Sequence, residues 1–192
     1  MKVRVGAAMW IVAALGFFVA EAITAAASSD YGYLKDYIST LGVPGRSPRA
    51  DLMNAAFVAQ GVLFPVGAVL TTLGVHARKV LPFLSLASLN GVGNLVVAFV
   101  HSGAGSTWHV VGAAVAIAAG NSAVLTGSSV LRRAGGARIH LVASVAIGGL
   151  GLLCLLAVAS GASPVGLWER GSVYAIFIWQ AYTAVYLLSR GS

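Results

Sequence analysis

Acidic residues are scarce in this chain: five in 192 positions, against twelve Lys and Arg. Charged residues of both signs make up 9%, where soluble domains carry roughly 25%. That shortage excludes an ordinary soluble domain. There is one cysteine, Cys154, inside an apolar run. An intrachain disulfide and a CxxC redox or zinc site are therefore excluded, and packing is the plain reading of Cys154. Neither G-x-S-x-G nor H-E-x-x-H occurs, so no hydrolase or zinc-protease signature is present. A net charge of +7 would suggest nucleic acid in a soluble chain. Here the basic residues flank apolar runs and no basic run is interleaved with aromatics, so no nucleic-acid partner is expected.

What the chain has is apolar length. Hydrophobic residues make up 58% and the mean hydropathy is +0.89. A hydrocarbon core of about 30 Å needs about 20 apolar residues per helix. Six segments meet this, at 6–27, 53–75, 81–101, 108–131, 139–161 and 171–189. The expected fold is all-α: a compact six-transmembrane-helix bundle forming one membrane domain over 1–192, with a long loop at 28–52. Lys2 and Arg4 followed by an apolar stretch and Ala25-Ala26-Ala27 imitate a secretory signal. The run is long for a signal, so an uncleaved first span is expected. Most of the 24 glycines lie in the spans, where small residues let helices approach. Gly112, Ala116, Gly120 and Gly127 make such a face on span four.

The charges sort by side. Glu21, Asp30, Asp36, Asp51 and Glu169 all fall on one side of this topology. Lys2, Arg4, Arg78, Lys79, Arg132, Arg133, Arg138 and Arg190 fall on the other, with no acid among them. The positive-inside rule then puts both termini in the cytoplasm of a multi-pass cell (plasma) membrane protein.

Polar residues inside hydrocarbon are costly, which makes each one a candidate for function. At 1.5 Å rise per residue, Glu21 lies about 10 Å below the outer surface. Gln60, Asn94 and Gln180 reach similar depth, so four spans place a polar group in one layer. Asn90, Asn94 and His101 share a helical face by spacing. His109 opens the next span at the same interface, and Gly135-Gly136 turns the chain between spans four and five. The outer loop carries Tyr31, Tyr33 and Tyr37 and is expected to fold over the mouth of the bundle at headgroup level. Trp168-Glu169-Arg170, followed by Tyr174 and Trp179, form the last outer turn and the start of the last span.

Three of these features carry a family resemblance. Tyr37-Ile38-Ser39-Thr40-Leu41-Gly42 follows the first span, His109 opens the fourth, and Glu169-Arg170-Gly171 precedes Tyr174 and Trp179. Over nearly its whole length the chain resembles domain-of-unknown-function family 998, six-span prokaryotic membrane proteins. The resemblance implies a compact six-helix bundle and brings no activity with it.

Several functions fit. The first is a pocket open to the outer leaflet that binds a lipid or small amphiphile. Its lining would be Glu21, Gln60, Asn94, His101, Arg170, Tyr174, Trp179 and Gln180, with Arg170, Arg46 or Arg49 holding an anionic headgroup. The second is an intramembrane lipid hydrolase or acyl transferase. Ser39 would be nucleophile, His109 or His101 general base, and Asp36 or Glu169 its partner. A variant binds one metal ion at the two histidines with Asp36 and Glu169. The third is a proton-coupled carrier relaying through Glu21. The fourth is an accessory subunit contacting another membrane protein or a second copy of itself. No cofactor is expected: His101 and His109 lie at one membrane face, whereas a transmembrane haem needs facing ligands. Membrane lipids are the partners common to these readings. Spans one and six are expected to pack together, bringing Asp36 or Ser39 within reach of Arg170 or His109.

Overall fold

In the computed structural model the described residues are 1–104, 106–133 and 138–189, and all regular structure among them is helical. Six helices are long: α1 (Lys2–Ala26), α2 (Ala50–Gly74), α3 (Leu81–Phe99), α4 (Thr107–Arg133), α5 (Arg138–Ala159) and α6 (Val165–Ser189). Each is long and apolar enough to cross a membrane. Short 3-10 turns occupy Ile38–Gly42 and Ser102–Ala104. The expected Gly135-Gly136 turn and Arg190 lie outside the described residues.

Neighbouring helices run antiparallel. Gly74, the last residue of α2, abuts Val3 at the start of α1, and Gly93 of α3 abuts Gly112 and Ala116 of α4. Gly171, early in α6, abuts Cys154, late in α5. The six form a ring, each helix packed on the next and α6 returning to α1, with α4 meeting α6 across the bundle. One end carries residues 27–49 and is the loop end. The start of α1, the finish of α6 and the 75–80 turn make the terminal end.

Lipid tails are as apolar as leucine, so close packing rather than water exclusion holds such helices together. The glycines supply the approach. A Cβ on Gly91 of α3 would sit 2.5 Å from the Gly61 carbonyl oxygen of α2. The small face of α4 is used as its spacing suggests: Gly112 and Ala116 meet α3, while Gly120 and Gly127 meet Ile176 and Trp179 of α6. Aromatics fill what remains. In one cluster Trp10, Phe64, Phe83 and Trp179 contact one another, and the Trp10 indole N–H donates to the Phe64 carbonyl at 3.1 Å. Towards the loop end Phe17, Phe57 and Phe177 pack with Ile38 and Leu41 of the 27–49 connection.

Two elements depart from expectation. Helix α3 ends at Phe99, so His101 belongs to the connection and not to a span. Helix α6 begins at Val165 rather than 171, which places Glu169 and Arg170 in its second turn and buries both. Hydropathy reads a Glu-Arg pair as the edge of a membrane. Here other segments supply both residues with partners, and the helix continues through them.

Candidate functional site

The loop end is organised by one guanidinium. Arg170 pairs with Glu21 of α1, Nε donating to Oε1 at 3.1 Å and Nη2 lying 3.0 Å from it. Nη1 shares its hydrogens among the carbonyls of Gly166 (3.1 Å), Asp36 (3.0 Å) and Tyr33, and Nη2 also donates to the Tyr31 hydroxyl. The rings of Tyr31 and Tyr33 cover the guanidinium, with centroids 5.5 and 4.7 Å from its carbon. The second oxygen of Glu21 accepts from the Tyr174 hydroxyl at 2.8 Å. Burial pushes the Tyr31 phenol well above its ordinary value although the Arg170 charge pulls the other way. Tyr31 therefore meets Arg170 as a neutral hydroxyl. Burial raises Tyr33 as well, and the charge of Glu21 adds to it.

This constellation has no donor left for a ligand. A guanidinium has five N–H groups, and all of those on Arg170 go to protein acceptors. Spans one and six do pack together, as expected. Of the residues expected at a headgroup, Glu21, Arg170 and Tyr174 make the joint that fastens the 27–49 connection to the bundle, while Arg46 lines a cavity elsewhere at the loop end. It is Asp36's backbone carbonyl, and not its carboxylate, that meets Arg170. The carboxylate accepts from the Gly32 amide at 2.8 Å, within its own turn.

The remaining members of the expected polar layer also separate. Asn90 donates to the Ala116 carbonyl at 2.7 Å and accepts from Gln60 at 3.4 Å; Asn94 donates to the Asn90 carbonyl at 2.9 Å. These amides tie α2, α3 and α4 together. Gln180 is fully buried, and neither of its amide atoms has a partner among the described residues. Trp179 is a core residue whose indole N–H donates to Ser144 at 2.9 Å. Glu21, Gln60 and Gln180 line none of the described cavities, and Asn94 lines a small one of about 40 Å³.

A larger cavity, about 410 Å³, lies at the loop end between α4 and α5. Val110, Ala114, Ile117, Leu155 and Val158 make its apolar walls, and Ser39, His109 and Glu169 are its polar groups, with Tyr37 and Ser102 beside them. Three of the five residues expected to do chemistry thus share one cleft. Asp36 does not: it lines a polar bowl on the other side of the 36–42 segment, with Thr40 and Arg46. Ile38, between Tyr37 and Ser39, is buried, and its amide donates to Glu169 Oε2 at 2.6 Å. The small cavity beside Asn94 shares Ser39 and Glu169 with the cleft and extends it inward.

His109 is held in one tautomer. Its Nδ1 lies 2.5 Å from the Val100 carbonyl oxygen. A carbonyl can only accept, so Nδ1 carries a proton, and in the neutral ring Nε2 is the acceptor. No hydrogen bond joins Ser39 to His109 or either to Glu169, so the three share the cleft without forming a relay. His101 is apart from them, with a buried Nδ1 that has no partner. Among the described residues no group of three or more His, Cys, Asp or Glu could hold a metal ion. The two histidines, Asp36 and Glu169 are thus not gathered into one such group. Tyr37 and Ser102 were not singled out for the site. The signal for Tyr37 is the alternation along 36–42, where Tyr37 and Ser39 face one cavity while Asp36 and Thr40 face the other.

Six long apolar helices around buried polar contacts define a multi-pass membrane protein. The chain belongs to the family described as Protein of unknown function (DUF998), which matches residues 11–186. No curated protein and no solved structure matches it.

Proposed function

We propose that the protein binds a lipid or other single-chain amphiphile in the α4–α5 cleft, hydrocarbon along the apolar walls and polar end against Ser39, His109 and Glu169. The observation that carries this reading is the cleft itself. Its volume falls in the roughly 300–1,000 Å³ range of small-molecule sites, and such sites combine apolar walls with a few convergent polar groups. Ala114 and Ala159 are exposed and Val110 is 66% exposed, so the walls continue into the surface that would face lipid tails. In the same reading the terminal end is cytoplasmic and the cleft opens towards the outer leaflet of the cell membrane. Seven described basic residues, Lys2, Arg4, Arg78, Lys79, Arg132, Arg133 and Arg138, lie towards the terminal end and all five acids towards the loop end, which supports that orientation.

The test is native mass spectrometry of the protein released from a mild detergent. Wild type is expected to retain an amphiphile. Ala114→Trp, which fills the cleft from an exposed position, is expected to lose it while remaining folded. Retention unchanged in Ala114→Trp would put the ligand elsewhere and defeat the reading.

A further inference from the structure

Resting on that reading, we infer that the cleft selects amphiphiles whose polar end is a protonated amine, and disfavours carboxylate or phosphate ends. The geometry supplies the reason. Lys and Arg are missing from the cleft lining. The guanidinium of Arg170, next to Glu169 in the chain, is fully committed to Glu21, the loop carbonyls and Tyr31. The sequence expectation of an anionic headgroup held by Arg170 therefore has no free donor to rest on.

What the cleft does offer is acceptors. Glu169 is 7% exposed; its Oε2 takes the Ile38 amide, and its other oxygen has no partner among the described residues. His109 is 6% exposed and donates from Nδ1 to Val100, which leaves Nε2 to accept. Ser39 adds a hydroxyl. An ammonium brings three N–H donors and a positive charge opposite in sign to that of a carboxylate. A neutral alcohol has a single donor and no charge. An anionic end would put like charges together in a desolvated site, which excludes it as effectively as the amine is attracted. Tyr37, half-exposed at the rim, adds an aromatic face of the kind that attracts cations.

The experiment uses the full chain in detergent micelles and three probes with one hydrocarbon chain: hexadecylamine, hexadecanol and palmitate. Each competes against a fluorescent alkyl probe. The amine is expected to bind at least about tenfold tighter than the alcohol, with palmitate weakest. Glu169→Gln, which keeps an acceptor for the Ile38 amide, is expected to erase the amine preference, so that hexadecylamine and hexadecanol bind within about twofold of each other. Val158→Lys, which puts a cation on the cleft wall, is expected to turn the preference towards palmitate, and it serves where Glu169→Gln does not fold. Equal binding of all three probes, palmitate matching the amine, or an amine preference that survives these substitutions would overturn the inference and leave the cleft reading standing. Failure of all three probes to bind would defeat both.

Discussion

Arg170 shows why single polar residues were legible and their partners were not. A sequence marks Glu21 and Arg170 as expensive places for charge, because few ionisable groups sit among so many apolar ones. It does not say that residues 149 positions apart neutralise each other, and so it cannot separate a binding site from a structural joint. Removing one partner of a buried pair leaves an uncompensated charge, at a cost of about 3–5 kcal/mol, while removing both is much milder. Arg170→Met is accordingly expected to lower the thermal unfolding midpoint in detergent sharply, and Glu21→Met combined with Arg170→Met to recover most of the loss. Equal destabilisation by single and double variants would show that the loop carbonyls, and not Glu21, are the main partners of Arg170.

At the scale of elements, the positions of the spans followed from apolar length, because a helix is the way a lone apolar segment satisfies its backbone in lipid. The beginning of α6 did not follow, since charge content was read as interface. The six extra residues matter because they carry Gly166 to the underside of the 27–49 connection. A Cβ there would lie 2.7 Å from the carbonyl oxygens of both Tyr33 and Asp36, and backbone cannot step aside as a flexible side chain can. Gly166→Val is expected to cost about 1–3 kcal/mol as overpacking. It should also lift the connection away from Arg170. Limited proteolysis reads this directly: cleavage within 27–49 should accelerate in the variant while the six helices stay intact. An unchanged cleavage rate would mean that Ile38, Leu41 and the Asn54 bond to the Gly42 carbonyl at 2.9 Å hold the connection without Arg170. The cleft depends on this element too. Tyr37 and Ser39 line it only while Ile38 is seated against Glu169. The contents of the cleft were partly readable from residue types, but its position between α4 and α5 was not, because it depends on where a non-helical segment settles.

For the whole molecule, the ring of antiparallel helices puts the first residues of α1 and the end of α6 at one end, with seven of the described basic residues and no acid gathered there. That sorting was fully visible in the sequence because the positive-inside rule acts on linear segments next to spans and needs no tertiary contact. It bears directly on the proposed site: on this orientation the cleft, Glu169 and the polar bowl with Arg46 all face away from the cytoplasm, and a ligand reaches them from the outer leaflet. A fluorescent protein fused to the C-terminus is expected to glow in a bacterial host, and alkaline phosphatase at the same place to be inactive. Phosphatase inserted at Gly45, a left-handed turn residue (φ 83°) with open space around it, is expected to be active. The opposite pattern would reverse the topology. The cleft would keep its shape and its acceptors but would face the cytoplasmic leaflet, so its ligand would have to be an amphiphile of that side.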